Sequence, residues 1–124
     1  MIDIALRNDL IADSNIGVTN VYPERLPQGT SATSIVYNVD GGFAQVQQGS
    51  KLTVVEYNVQ LDVYATSYAE VRNLVSSLLT KYNGYAGDLD SMVVAGAYVR
   101  SVQNTYEEVT RLYRGIIDID LHVK

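Results

Sequence analysis

The sequence predicts an α+β domain of two layers, in which two helices pack on one face of a mainly antiparallel sheet. Three observations lead to this. Residues 55–63 alternate strictly between apolar and polar side chains, the period of a strand with one buried face. Apolar side chains at 71–82 recur at helical spacing and form one stripe. Residues 111–123 alternate again, so strands are expected on both sides of the helix.

The predicted order of elements is helix, strand, strand, strand, helix, strand, strand. A first helix over residues 2–13 ends at Ser14-Asn15-Ile16-Gly17, a typical C-terminal stop. Gly96 is expected to mark a bulge or a close backbone approach. The last strand should be central because its apolar side is continuous. The predicted strands cover residues 18–22, 34–39, 55–63, 92–104 and 111–123.

The connections between these elements carry recognisable turn chemistry. Ser67 and Glu70 have the spacing of a capping box at the start of the second helix. Pro23 and Pro27 predict an extended, ordered turn, because proline fixes φ and restricts the residue before it. Residues 83–88 are expected to end the helix in a turn, and residues 105–108 to form a polar turn.

Residues 42–51, GFAQVQQGSK, are polar, rich in glutamine and flanked by glycines. The simplest interpretation is a hairpin whose tip projects from the sheet, and such an arm is often ordered by a neighbour. The alternative is an ordinary solvated loop. The proposed assembly arm consists of Phe43, Ala44, Gln45, Val46, Gln47 and Gln48.

Composition restricts the classes of protein. The 124 residues fit one domain, 1–124, and the absence of cysteine excludes a disulfide scaffold, a zinc-thiolate site and a cysteine nucleophile. No apolar run approaches the ~20 residues of a membrane span, and the first residues lack the pattern of a signal peptide, so a soluble protein is expected. The net charge of −5 argues against general nucleic-acid binding. The ten tyrosines suit strands or subunit contacts equally well.

Catalytic patterns are weak. The single histidine, His122, lies on the polar side of a strand, and neither a G-x-S-x-G elbow nor a phosphate-binding glycine motif is present. Four acids, however, lie on polar strand sides and form a patch if their strands are neighbours: Glu56, Asp62, Asp118 and Asp120. Such a patch can serve acid/base chemistry or bind a cation, can simply be solvated, or can face DNA or a partner subunit. We predict no enzyme and no catalytic, cofactor or metal residue.

Three segments also resemble a known family: Val21-Tyr22-Pro23 with the turn through Gly29, the strand Ser34-Ile35-Val36-Tyr37, and the stretch from Val59 to Glu70. They are similar to the tail-completion (tail-terminator, or head–tail joining) proteins of long-tailed bacteriophages. In that family an N-terminal helix leads to a V-Y-P…P-x-G turn, and a strand ending in D-V-Y-A-x-S-Y-x-E runs into a helix. Ala32-Thr33 departs from the pattern, which usually has proline before Ser34.

The resemblance implies a structural protein of the virion, without cofactor or catalytic residues, at the head-proximal end of the tail. Such proteins form a hexameric ring that caps the tail tube, stops polymerisation of the major tail protein and meets the head connector, and DNA passes through the lumen without specific binding. Assembly takes place in the host cytoplasm. The arm then engages a neighbouring subunit or the tail tube, and the four acids line the lumen or an interface. Whether the free protein is a monomer stays open.

Three alternatives remain at this point. The first is another neck protein, such as the stopper of the connector, which differs in its binding partner. The second is a small ligand-binding or regulatory α+β module, which a thermal-shift screen with metabolites would support. The third is an acid/base or metal enzyme built on Asp118, Asp120 and Glu56, which requires those carboxylates in a closed pocket.

Overall fold

A computed structural model describes residues 2–18, 20–27, 29, 32–46, 53–90, 92–108 and 111–124. It contains two helices and a six-stranded sheet that is mixed and curled into a half-barrel, so the predicted α+β class is confirmed. The elements are α1 (Ile2–Ala12), β1 (Val21–Pro23), β2 (Ser34–Val46), β3 (Thr53–Ala65), α2 (Tyr68–Tyr82), β4 (Gly87–Leu89), β5 (Met92–Glu107) and β6 (Leu112–Val123).

The strand order is β1-β2-β3-β6-β5-β4, and every neighbouring pair is antiparallel except β1 with β2. β6 therefore lies inside the sheet between β3 and β5, as its continuous apolar side predicted. The predicted bulge is also confirmed, since the register of β5 on β6 shifts between Val94 and Gly96.

The structure differs from the sequence-based prediction in two connections. The turn expected at 83–88 contains the start of strand β4, which folds back on Met92–Val94 around Asp90, a residue with a positive φ of 53°. The polar turn expected at 105–108 is instead strand through Glu107, because Tyr106 pairs with Tyr113 on β6. Pairing with a neighbouring strand satisfies these backbone groups whatever the side-chain pattern.

The predicted capping box is absent. Ser67 has the extended backbone of an N-cap residue, but its hydroxyl makes no capping hydrogen bond. Glu70 instead accepts a hydrogen bond from Thr33 Oγ1 at 2.8 Å, which ties the first turn of α2 to the segment before β2. The glutamate therefore joins two elements and does not cap its own helix.

The proposed arm lies partly in the sheet. Gly41 to Val46 continue β2, and the ladder runs on until Val46 faces Thr53 on β3. The backbone of Phe43, Ala44, Gln45 and Val46 is therefore paired, and Gln47 and Gln48 lie outside the described residues.

Buried side chains of α1 and α2 form one core cluster with buried side chains of the strands. Leu6 and Leu10 of α1 share a core cluster with Leu78 of α2 and with Leu61 and Ile117 of the sheet, all at 0–1 % exposure. A polar contact also joins the two helices. Lys81 Nζ lies 3.1 Å from Asp9 and 2.7 Å from Asp13. The other side of the sheet, which we call the open face, carries the polar positions of β3 and β6.

Tyr82 makes stability sensitive to alkaline pH. Its hydroxyl donates to Asp9 at 2.9 Å, and burial together with that carboxylate raises the pKa of Tyr82 far above its usual value of 10.0. Because the unfolded chain ionises first, stability is complete below pH 10 and falls as the pH rises further, by at most about 1.4 kcal/mol per pH unit for this group. Tyr82→Phe should flatten that decline in urea titrations between pH 9 and 11.

The exposed tyrosine Tyr98 provides the matched control, and Tyr98→Phe should keep the alkaline slope of the wild type. At pH 7 Tyr82→Phe should cost about 1–2 kcal/mol for the lost hydrogen bond to a charged group. An alkaline slope equal to that of the wild type in Tyr82→Phe would show that another group titrates.

Gly115 of β6 lets α2 approach the sheet. A Cβ at this position would lie 2.7 Å from Val75 Cγ2 and 3.0 Å from Val71 Cγ1. Gly115→Ala should therefore push the helix outwards and lower the free energy of unfolding by about 1–3 kcal/mol, measured by urea denaturation. Gly96→Ala is the control, because the three atoms nearest to its new methyl would all belong to the side chain of Tyr98, which is 56 % exposed and can rotate. Equal losses in both variants would contradict the close helix–sheet contact.

Candidate assembly surfaces

The open face brings together the acids that the sequence singled out. β3 and β6 are neighbours, and their polar positions pair directly: Glu56 with His122, Asn58 with Asp120 and Gln60 with Asp118. The acids were expected to form a patch if these two strands were neighbours, and β3 and β6 do lie side by side. Glu56, Asp118 and Asp120 are half-buried on this face.

The amide side chain of Asn58 bridges two of these carboxylates. Asn58 Nδ2 donates to Asp118 Oδ1 at 2.6 Å and to Asp120 Oδ1 at 3.3 Å. Arg100 of β5, whose side chain is 60 % exposed, places its Nε atom 3.5 Å from Asp120 Oδ2. An exposed pair of this kind is weak. The face is thus a hydrogen-bonded polar surface with acidic character.

Asp62 does not belong to that surface. It is 3 % exposed and forms an ion pair with Arg114 Nη2 at 2.5 Å, while Arg114 Nη1 contacts Glu107 Oε1 at 3.1 Å. Burial opposes the charge on Arg114, but the hydrogen bond and charge of Asp62 outweigh it and raise the pKa of the guanidinium. The sequence places Asp62 with the other acids on the polar side of β3, whereas the structure buries its side chain and pairs it with Arg114.

A small apolar cluster on the open face buries this ion pair. Val36, Tyr64 and Leu112 form it, with Tyr22 and Leu26 packed at its edge. The guanidinium carbon of Arg114 lies 5.6 Å from the centre of the Tyr64 ring, within the range of a cation–π contact. Burial raises the pKa of Tyr64. The sequence contains one indication of this cluster, since Tyr64 and Leu112 are apolar residues at positions where the alternation of their strands places polar ones.

Within the described ranges, no three His, Asp or Glu side chains form a group that could hold a metal ion. His122 lies on this face with its ring centre 6.0 Å from that of Tyr98, in an edge-to-face contact. The arrangement can repel anions and accept hydrogen bonds, which are properties of a contact or lining surface.

A second surface, which we call the edge surface, comprises the outer edge of β5 from Ser101 to Tyr106 and the tyrosines beside it. Tyr113 stacks edge-to-face on Tyr106 at 4.9 Å and on Tyr68 at 5.8 Å between ring centres. Tyr68 and Tyr106 are 52 % and 46 % exposed. Arg72 lies 5.9 Å above the Tyr68 ring. Pattern reasoning missed this surface because the three tyrosines come from three different elements.

Comparison with protein families identifies the class as a structural, non-enzymatic protein of phage tails. Residues 4–124 match the family model described as "Tail completion protein gp17", and the chain belongs to this family. The predicted family is thereby confirmed.

The fold also occurs in a solved structure, a chain of the "Virion of native gene transfer agent (GTA) particle". The two share 14 % sequence identity with a TM-score of 0.69, over 97 % of this chain and 92 % of the other. No curated protein matches the sequence. In the part of the chain that the structure describes, no helix is long and apolar enough to cross a membrane.

Proposed function

We propose that the protein caps the finished tail tube, ends polymerisation of the major tail protein and joins the tail to the head connector. Six copies act as a ring at the head-proximal end of the tail, and DNA passes through its lumen. Each copy is one domain, and assembly takes place in the host cytoplasm. The observation that carries this proposal is the open face, a curled polar surface on which three half-buried acids stand on two neighbouring strands.

Charge supports a lumen that does not hold DNA. Glu56, Asp118 and Asp120 stand on two neighbouring strands, and the chain has a net charge of −5. Like charges repel a phosphate backbone, so a ring lined by this face guides DNA through without binding it. The neutralised pair of Asp62 and Arg114 adds nothing to this field.

The arm is the second element of the proposal, and it contacts the tail tube or the next subunit. Its backbone extends the β2–β3 ladder past Val55, the residue at which the pairing of β3 with β6 ends on this side of the sheet. The ribbon therefore reaches beyond the row where the six-stranded sheet ends. A two-stranded extension of this kind suits an interaction with a neighbour.

Deletion of residues 44–49 tests the capping function. The ladder from Ser34 to Phe43 and the helix-covered core stay in place, so the variant should remain folded, with the melting temperature of the wild type within a few degrees. Tails are assembled in the presence of either the wild-type chain or the variant as the only source of the protein, and electron microscopy gives tail lengths and the fraction joined to heads. We expect uniform, joined tails with the wild-type chain only.

The possible outcomes separate the candidates. Normal tails with the deletion variant would refute the role of the arm. A wild-type chain that binds the head connector without limiting tail length would identify a connector stopper instead. Uncontrolled tail length with wild-type chain present would refute the capping function as a whole.

A further inference from the structure

The outer edge of β5 is divided into a covered and an uncovered part. β4 pairs with Met92–Val94, and the turn after α2 follows it, with Gly84 N donating to Ala97 O at 2.8 Å. From Ser101 to Tyr106 no strand among the described residues pairs with this edge, and all six residues are exposed. A strand exposed on both faces and along its edge has unpaired backbone groups ready for another strand.

Nothing in the sequence of this segment protects it. Soluble proteins blunt such edges with lysine, proline or inward-pointing charges, and Ser-Val-Gln-Asn-Thr-Tyr contains none of them. Val102 is 38 % exposed and Tyr106 is 46 % exposed. An unprotected edge beside stacked, exposed tyrosines has the composition of a surface that is covered in the working state.

We infer that the edge surface binds the free edge of β2 in a second copy of this chain, so that one continuous sheet runs from subunit to subunit. The inference rests on the proposed function for its ring of identical subunits. On the outer side of β2, strand β1 pairs with Ile35–Tyr37 only. The edge of β2 from Val39 to Val46 has no partner strand among the described residues. A head-to-tail contact between two different edges of one chain generates a ring when the rotation from copy to copy closes.

Strand direction supports this occupant. β2, β3, β6 and β5 alternate in direction, since each neighbouring pair is antiparallel. A β2 strand added outside β5 in the same orientation continues the alternation and forms another antiparallel pair. Antiparallel ladders are slightly more stable per residue than parallel ones.

The two free edges lie towards opposite ends of the sheet. Following the paired residues across the sheet, Asn104 of β5 lies level with Ile35 of β2, which pairs with β1. Val94 of β5 lies level with Ala44, in the part of β2 that has a free edge. Two copies can therefore pair only if one is displaced along the strand direction. Such a stagger is what a closed barrel of tilted strands requires.

Cysteine cross-linking tests the pairing directly, because the natural chain contains no cysteine. Asp40 lies on the open face of β2, as its partner Asn58 contacts the acids there. In one set of single variants Asp40→Cys is mixed with Ser101→Cys, Gln103→Cys or Thr105→Cys. These three positions share the open face of β5, since they pair with Asp118, Ile116 and Arg114. Directly opposed residues of an antiparallel pair are about 4.5–5.5 Å apart at Cα, within disulfide range.

The mixtures are oxidised on assembled tails, and covalent dimers are measured on non-reducing gels. We expect one of the three combinations to form dimers at least about tenfold more than Asp40→Cys mixed with Val102→Cys. Val102 is the matched control because it pairs with buried Ile117 and so lies on the other face of the same strand.

Each outcome decides a separate claim. Capped tails of normal length without a dimer would overturn the edge pairing and leave the capping function intact. Dimers on tails of uncontrolled length would support the pairing and refute capping. Equal dimer yields at Val102 and on the open face would indicate random collision and overturn the inference, and loss of both dimers and caps in folded variants would overturn both.

A second pair of variants needs no cross-link. Val102→Lys places a charge beside the free edge, and Val93→Lys places the same charge at a valine of the same strand that is 43 % exposed but paired with β4. Subunit association, measured by sedimentation and by occupancy on tails, should fall on the order of tenfold or more in Val102→Lys only. Melting temperatures show that both variants fold. Unchanged association in Val102→Lys would overturn the inference.

Discussion

Replacing Arg114 with alanine should lower the free energy of unfolding by about 3–5 kcal/mol. The Asp62 side chain is 4 % exposed and would lose the guanidinium that lies 2.5 Å from its Oδ2 atom, while Gln60 Nε2 would still donate to its Oδ1 atom at 3.0 Å. The Tyr64 ring would also lose the guanidinium beside it. Urea denaturation at pH 7, followed by circular dichroism, gives the difference.

Two controls separate the buried charge from other effects. The double variant Arg114→Met with Asp62→Leu removes both charges at similar volume and should recover most of the loss. Arg100→Ala breaks the pair with Asp120 from a side chain that is 60 % exposed, and it should cost less than about 1 kcal/mol. Arg114→Ala would contradict the buried ion pair if it cost no more than Arg100→Ala.

Changing Asp118 and Asp120 to lysine should convert a surface that repels DNA into one that holds it. The two carboxylates flank Asn58 on the open face, so each subunit of a ring would gain two cations next to the passing strand. DNA retained on assembled tails should then fall by a factor of about 10³ or more between 50 and 200 mM salt, the dependence expected for at least six phosphate contacts. DNA release from particles should slow at low salt.

Asp118→Asn with Asp120→Asn is the matched control, because it removes the negative charges without adding positive ones. It should leave DNA release close to that of the wild type, since a neutral polar lining still does not bind phosphate. DNA release by the lysine variant at the wild-type rate in low salt would place the open face outside the lumen.

Regular alternation allowed the sequence to predict the face of each residue in β3 and β6. Glu56, Asp118 and Asp120 therefore lie together as predicted. Asp62 follows the same alternation, and its burial depends on Val36, Tyr64 and Leu112, which come from three strands. A local period cannot report such a cluster, because it states which face a side chain occupies and not what covers that face.

The missed strands have a similar physical cause. β4 has three residues, too few for a period, and it exists because the chain folds back at Asp90. The end of β5 is polar and exposed on both faces, so its extended backbone is held by pairing with β6 and not by burial. The family motifs covered β1, the start of β2, the second half of β3 and the first residues of α2, whereas the tyrosine cluster, assembled from distant parts of the chain, had no sequence signature.

The position of β6 also determines which contacts are slow to form. β2 with β3, and β5 with β6, are strands adjacent in sequence, whereas the β3–β6 ladder joins residues as distant in the chain as Val55 and Val123. Closing that separation costs chain entropy before the core is formed to offset it. We therefore expect the pairing of β3 with β6, across the segment that contains α2, to be the slowest contact to form.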